Sequence, residues 1–449
     1  MSLTSFLVSW LGYAAQKTLK RERPFIIGIT GSVGKSSTKE AVAALLQAHD
    51  PASHVRVSAK SYNNELGIPL TVFGHPAPGR SIVGWVRLLW TAWITSCGFR
   101  STHIRTFIFE MGADKPGDIA YATNIAKPDL AIVTGVTPGY GTLTPVHAAN
   151  YPSIDAVAAE KAALVQAVDT GGTVVLNADD ARVFVMRHMT HAHVLTYGEA
   201  DATAIRLTQT RIVTESSTHG QVPTGMEIQY ERMQMREHLM IPGVFGRSIA
   251  YAMVAALTVG EALDLSQEDV QRLQNHFRPL PGRARIIPGI KFTTLFDDTY
   301  NASPVAILSA IHDLASLSLD PHQRRIVCVG EMRELGETSY AMHRLIGAEV
   351  AKSSIDLFVP CGIFAHAMVE GACANGLSKD RIKMFDDTPE AGRFIQAWIK
   401  PGDVILAKAS QGTIDAKGVR MERVIKELMA EPDRAAELLV RQEDAWKRK

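Results

Sequence analysis

The chain has 449 residues, enough for two or three domains, each with its own core. Lys plus Arg at 47 against Asp plus Glu at 46 is near balance, so no nucleic-acid partner held by bulk charge is expected. Cys97, Cys328, Cys361 and Cys373 form no C-x-x-C pair, which points to a reducing, cytoplasmic setting without a disulfide framework or structural zinc.

Residues 6–15 are apolar, and their positive charges (Lys17, Lys20, Arg21, Arg23) follow rather than precede them. A secretory signal carries its charge first, and a span needs about twenty apolar residues. Residues 1–23 are therefore expected as an amphipathic segment. Next, 25–29 form a strand-like apolar run, followed by Gly31-Ser-Val-Gly34 and a helix opening at Lys35 and running to about 47. Such a turn lets backbone N–H groups converge on phosphate oxygens, with Lys35 as a point charge and Ser36 or Ser37 able to hold Mg²⁺. Ile29 stands where the strict P-loop pattern has its first Gly, which leaves the shorter G-x-x-G-K-S. The Trp-rich segment 82–97 is interrupted by Arg87 and also falls short of a span. Packing of both apolar segments on the protein is expected, with peripheral membrane contact as the alternative.

Strand-like runs at 106–109, 130–134 and 173–176 alternate with helical stretches, which predicts an α/β fold with a largely parallel sheet. The first of these ends in Glu110, an acid placed where a nucleotide-bound Mg²⁺ would be met. The helix over 154–168 carries Lys161 among Ala158, Ala159, Ala162 and Ala163, as a lysine approached by another group would be. His188, His191 and His193 read as a solvated turn rather than a metal site. Residues 207–241 alternate polar and apolar and are expected as antiparallel strands appended to the first sheet.

Arg278-Pro-Leu-Pro-Gly-Arg283 is punctuated as a joint between domains. A second α/β pattern follows, with strands at 325–329, 357–360 and 403–407. Asp297, Asp298, Asn301 and Ser303 crowd one strand-to-helix turn before a helix over 305–315, more polar groups than an N-cap requires. Lys408 and Ser410 sit at another strand end, and 431–449 is expected as a charged helix.

Taken in order, these segments resemble the Mur ligase family, and within it the MurF type. The matches are GITGSVGKSSTKE (28–40), YNNELGIPLT (62–71), FEMGADKPGDIAY (109–121), AKPDLAIVTGV (126–136), AAEKAALV (158–165), VVLNADD (174–180), PGRAR (281–285), DDTYNASP (297–304), VGEMRELGE (329–337) and RMERV (420–424). The resemblance implies three parts: the N-terminal segment 1–23, a central ATP-binding domain over 24–280 and a Rossmann-like C-terminal domain over 281–449. It implies ATP-driven ligation of D-alanyl-D-alanine to a UDP-N-acetylmuramoyl-tripeptide through an acyl phosphate, in a monomeric cytoplasmic enzyme. Gly31, Ser32, Gly34, Lys35, Ser36 and Ser37 would cradle the phosphates, with Ser36 and Glu110 on one Mg²⁺. Lys161, carrying a CO₂-derived carbamate, would hold a second Mg²⁺ with His147, fourteen residues earlier. Arg283, Asp298 and Asn301 would touch nucleotide from beyond the joint. Asn63, Asn64, Asp298, Tyr300, Asn301, Lys408 and Ser410 would face the other substrates.

The chain also departs from the family pattern. Only about 24 residues precede the P-loop strand, where the family carries a separate UDP-gripping domain. Residues 137–146 carry an apparent insertion. Ser248-Ile249 replaces a His-Asn pair, and Gln411 replaces a common Arg. Two rival readings are a folylpolyglutamate-type ligase and a non-catalytic nucleotide-binding scaffold. The first usually has a His before its Asn-Pro, where this chain has Asp298-Thr-Tyr-Asn301. The second has no use for Lys35, Glu110, His147 and Lys161 together.

Overall fold

The structure, a computed structural model, describes residues 3–52, 54–58, 65–136, 151–333, 335–411, 419–443 and 446. Strands β1 (Phe25–Thr30), β2 (Val55–Val57), β3 (Thr106–Glu110), β4 (Leu130–Val133), β5 (Thr173–Asn177) and β6 (His193–Gly198) pair in parallel in the order β2-β3-β1-β4-β5-β6. β7 (Ile205–Ser217), β8 (Gly220–Arg232) and β9 (Met235–Pro242) extend this sheet, β7 parallel to β6 and the last two pairs antiparallel. The appended antiparallel strands are thus where the alternation of 207–241 places them.

The central strands are apolar at nearly every position because both faces of the sheet are covered. Ile27, Ile29, Leu130 and Ile132 enter one core, while Ile26, Ala131 and Val133 enter the other, the period of two that a strand imposes. The helices are α1 (Leu3–Glu22), α2 (Lys35–His49), α3 (Gly67–Phe73), α4 (Ile82–Ser96), α5 (Asp118–Ile125), α6 (Ile154–Gln166), α7 (Ala181–Val185), α8 (Arg247–Ala262) and α9 (Gln267–His276). The first core lies under α2, α8 and α9; the second lies under α1 and α3 to α6. Helix α1 therefore packs on the helical layer above the sheet, and it continues through Lys17, Lys20 and Arg21 beyond the apolar run.

The second sheet contains β10 (Arg285–Pro288), β11 (Thr294–Asp298), β12 (Arg325–Val329), β13 (Leu357–Pro360) and β14 (Val404–Lys408), in the order β10-β11-β14-β12-β13. Only the β10–β11 pair is antiparallel. Helix α10 (Pro304–Ala315) starts where Ser303 accepts from the Ala306 N–H and Pro304 takes a position with no amide to satisfy. Helices α11 (Ser339–Lys352), α12 (Ala365–Ala374), α13 (Thr388–Trp398) and α14 (Glu422–Leu428) complete this unit. The expected continuous helix over 431–449 is corrected over 431–443, where α15 covers only Ala435–Leu438; residues 444, 445 and 447–449 lie outside the described residues. Arg441, at φ 59°, turns the chain inward and pairs with Glu422, which a continuing solvent-exposed helix would not permit.

The tip of the β7–β8 hairpin reaches the second unit. The Gln323 side chain accepts from the Gln221 N–H (2.8 Å) and donates to the carbonyls of Gln221 (2.9 Å) and Gly402 (2.7 Å). The His219 ring stacks on Phe292 with centroids 4.1 Å apart. Among the described residues, no helix is long and apolar enough to cross a membrane.

Candidate active site

The carboxyl ends of β1, β3 and β4 meet at one place. There β1 gives way to the Gly31–Gly34 turn, and α2 begins at Lys35. Gly34 has φ +83°, and a Cβ on Gly31 would lie 2.0 Å from Thr134 Oγ1, so the turn requires glycine at both positions. The turn is braced from the end of β4: the Ser32 N–H donates to the Gly135 carbonyl (2.6 Å), and the Thr134 hydroxyl donates to the Val33 carbonyl (2.5 Å). The Asn177 amide holds the Thr134 carbonyl (2.9 Å), and Asp180 accepts from the Val136 N–H (2.7 Å). Thr134, Asn177 and Asp180 lie within the matched segments 126–136 and 174–180 but carry no role in the sequence analysis; the structure makes them bracing residues. The available signal was their place at the ends of β4 and β5.

The turn has an anion's complement. Helix α2 has no side-chain N-cap, and the buried Thr30 and Ser32 hydroxyl oxygens have no hydrogen-bond partner. Buried polar atoms of this kind are normally satisfied, and a phosphate at this helix N-terminus would meet the cleft-lining Ser32 hydroxyl. The Lys35 ammonium folds back on the Gly31 carbonyl (2.8 Å); enclosure lowers its pKa, while Glu110 pulls the other way. The Ser36 hydroxyl lies 3.0 and 3.2 Å from the two Glu110 carboxylate oxygens. A hydroxyl and a carboxylate converging beside a phosphate cradle are hard oxygen donors of the type Mg²⁺ takes.

The second unit supplies the opposite wall. The Arg283 guanidinium reaches Ser36 Oγ (3.3 Å), lies 4.0 Å over the Tyr300 ring, and leaves its buried Nε unpartnered. Lys408 is buried, forms an ion pair with Asp298 and donates to the Asn301 carbonyl (3.1 Å). Between the walls is a cleft of about 890 Å³. Ser32, Gly34, Lys35, Ser36, Ser37 and Glu110 line it from one side, and Arg283, Asp298, Tyr300, Asn301 and Lys408 from the other.

Three anticipated residues stand behind the lining. Gly31 forms the turn's floor. Ser410 is buried, donating to the Ala302 carbonyl (2.9 Å) and accepting from the Arg333 N–H (3.0 Å), so it braces the wall rather than facing the cleft. Lys161 is 2% exposed on α6, not on a helix surface. Burial, with the neighbouring Lys35 cation, brings its pKa down to about 7 against the opposing pull of Glu160 and Asp114. Asn63, Asn64 and His147 lie outside the described residues. Ser248, Glu331, Arg333, Phe364 and Gln411 also line the cleft. They include Ser248 and Gln411, so those two departures from the expected pattern fall at the site itself, while the insertion at 137–146 lies outside the described residues.

The arrangement can hold a nucleoside triphosphate by its phosphates between two units and present it to a second reactant. Comparison with known proteins agrees with this chemistry. The Mur ligase middle domain matches residues 94–260, and the Mur ligase glutamate ligase domain matches residues 282–411. A UDP-N-acetylmuramoyl-tripeptide–D-alanyl-D-alanine ligase of Mycobacterium leprae is 30% identical over 417 residues, 86% of this chain and 71% of that protein. The fold is similar to that of MurF ligase from Thermotoga maritima in complex with ADP, with TM-score 0.70, 22% identity, and coverage of 94% of this chain and 83% of that one. It is also similar to folylpolyglutamate synthase of Mycobacterium tuberculosis complexed with ADP, with TM-score 0.59, 16% identity, and coverage of 90% and 91%.

Proposed function

We infer the reaction from a premise these matches establish: the chain belongs to the Mur ligase family. It is an ATP-dependent ligase of peptidoglycan precursor synthesis. We propose that it joins the terminal carboxylate of a UDP-muramoyl-tripeptide to the amine of D-alanyl-D-alanine. A carboxylate oxygen attacks the γ-phosphorus, and ADP leaves with the bridging oxygen. The dipeptide amine nitrogen then attacks the acyl carbon, loses a proton, and phosphate leaves with the C–O electrons. The turn amides and Lys35 hold the β- and γ-phosphates, and Arg283 closes on them from the second unit. Asp298 and Asn301, tied to Lys408, orient the far wall, with Tyr300 against Arg283. Ser36 and Glu110 would hold Mg²⁺, which neutralises charge on the transferring phosphoryl group.

A near-neutral Lys161 amine supports a further part of the reading. An uncharged amine is the form that adds CO₂, and the resulting carbamate is an anion suited to a second Mg²⁺, with His147 proposed from sequence as its companion. Of the division into 1–23, 24–280 and 281–449, the boundary at 280 is supported by the change of sheet between β9 and β10.

The single observation that carries the proposal is Arg283 reaching Ser36 across the cleft, because it makes one site out of two units. The substrate assignment rests on DDTYNASP at 297–304 rather than on fold likeness, which the folylpolyglutamate enzyme shares. ADP release should be strongly stimulated only by UDP-muramoyl-tripeptide and D-alanyl-D-alanine together. Turnover with a reduced folate and glutamate, and none with the dipeptide, would transfer the chain to the other branch.

A further inference from the structure

A second concave surface, of about 490 Å³, shares no lining residue with the cleft. Phe6, Leu7 and Trp10 of α1 face Val86, Leu89, Trp90 and Trp93 of α4 across it. Around it the apolar side chains point to solvent: Ile82 is 80% exposed, Val86 60%, Trp90 61% and Phe99 77%. Trp90 and Trp93 have ring centroids 5.2 Å apart, and Trp93 and Phe99 6.0 Å, so the aromatics form one strip. Isolated exposed hydrophobics need no explanation, but a contiguous strip on two packed helices does.

The two helices are fixed to each other rather than loosely apposed. The Arg21 guanidinium donates to the carbonyls of Thr95 (2.6 Å) and Ser96 (3.2 Å), tying the end of α1 to the end of α4. Their buried faces, Leu11, Ala14, Ala15 and Leu19 on α1 and Leu88 and Ala92 on α4, belong to the core beneath. The platform therefore does not need to fold in order to present its outer face.

Charge identifies what covers that face. Between Glu65 and Glu110 the sequence has no Asp or Glu, but it has Arg80, Arg87, Arg100 and Arg105. In residues 1–39 the one acid is Glu22, and it is taken by Arg21 and the Thr102 N–H. Arg87 shares a helical face with Val83 and Trp90, at spacings of four and three. On α1 the exposed stripe Phe6, Tyr13, Lys17, Lys20 passes from apolar to basic along the helix. A second copy of the chain would set Arg87-bearing faces against each other with no acid on either to answer them. A lipid surface supplies phosphates for the basic side chains and a boundary layer in which Trp is favoured, while Arg stems lie along apolar surface with their heads in the polar layer.

We propose that the α1–α4 face docks on an anionic lipid bilayer. Phe6, Trp90, Trp93 and Phe99 enter the boundary between headgroups and acyl chains, and Arg87, Lys17 and Lys20 meet lipid phosphates. The chain lies on the bilayer by this face; α4 has fifteen residues and α1 ends in charge, so neither crosses it.

The test is co-sedimentation of the full chain with vesicles of phosphatidylglycerol and phosphatidylcholine in equal parts, against phosphatidylcholine alone, with Trp emission read in parallel. Binding and a blue shift are expected with the anionic vesicles, declining as salt rises. Each basic charge lost near a surface weakens binding roughly fivefold, so Arg87→Glu, a change of two charges, should weaken it roughly 25-fold. Trp90→Ser with Trp93→Ser should weaken it on the order of tenfold or more. Both variants alter exposed positions and should keep the wild-type melting temperature and nucleotide binding. The inference is overturned if the wild type ignores anionic vesicles or if the variants sediment as it does. Sedimentation equilibrium showing a dimer that these variants dissociate, without vesicle binding, also overturns it.

Discussion

Arg441 tests how the end of the chain supports the active site. Its guanidinium pairs with Glu422 (2.7 Å) and donates to the carbonyls of Thr299 (3.1 and 3.2 Å) and Tyr300 (2.7 Å). Both side chains are almost fully buried, at 6% and 1% exposure. Glu422 has another cation near it, Arg420 Nε at 3.3 Å, but that contact lacks hydrogen-bond alignment. Arg441→Met therefore leaves a buried carboxylate with only a misaligned partner and removes the donors that fix the turn between Asp298 and Asn301. Breaking a buried pair from one side costs about 3–5 kcal/mol. With Arg420 still present, the low end applies: about 3 kcal/mol, roughly 150-fold in the folding equilibrium of the second unit. Replacing both partners, Arg441→Met with Glu422→Met, should recover most of this, because no charge is then stranded. Catalysis should not recover in the double variant, since the Thr299 and Tyr300 carbonyls stay unheld and the Asp298–Asn301 wall loosens. Urea unfolding reads the first effect, and KM for ATP and the muramoyl-peptide reads the second. A single variant within about 1 kcal/mol of wild type, or a double variant no more stable than the single, would refute the reasoning.

Other expectations follow from the same geometry. Lys161→Ala should nearly abolish ligation while fluorescent nucleotide still binds, and short carboxylic acids should restore part of the rate; near-normal turnover would return Lys161 to a packing role. With a pKa of about 7, the neutral fraction of Lys161 should rise from about one tenth at pH 6 to about nine tenths at pH 8, and NMR with labelled bicarbonate should show carbamate rising with it. Gly31→Ala should weaken nucleotide binding by on the order of tenfold or more, since its Cβ would strike Thr134 Oγ1 and displace the turn. Burial raises Asp297 and Asp313 to about 6, above their unfolded value, so the native state binds more protons between about pH 4 and 6 and these groups make stability fall as pH rises through that window. Asp313→Asn should flatten that slope in pH-dependent unfolding, and an unchanged slope would assign it elsewhere. Gln323→Ala should speed hydrogen exchange at the hairpin tip over 217–221, where its side chain makes two bonds to the Gln221 backbone.

Local chemistry is legible in a sequence when neighbouring residues carry it. The P-loop turn, the strand ending in Glu110, the antiparallel extension over 205–242 and the Ser303–Pro304 helix start all depend on contiguous residues, and their elements lie where the pattern puts them. Over 431–443 the chain departs from the expected continuous helix for the complementary reason. Its charge pattern is helical, but the conformation is decided by Glu422 and by the carbonyls of residues 299 and 300, which draw Arg441 inward from far along the chain.

The sequence by itself determined the α/β alternation and the phosphate-binding turn, because these follow from local periodicity and from glycine and lysine chemistry at fixed spacings; through the family resemblance it also pointed to part of the cleft's lining, Arg283, Asp298 and Lys408 included, but not to others such as Phe364. Only the tertiary structure decided which of them meet. Arg283 reaches Ser36 across 247 positions of sequence. Thr134 braces a turn a hundred residues earlier. Lys161 is buried beside Lys35 rather than solvated, and Ser410 braces the wall rather than lining it. Hydrogen bonds and desolvation depend on distance in space, and that distance is set when two sheets, which share one apolar core cluster, come together across the cleft.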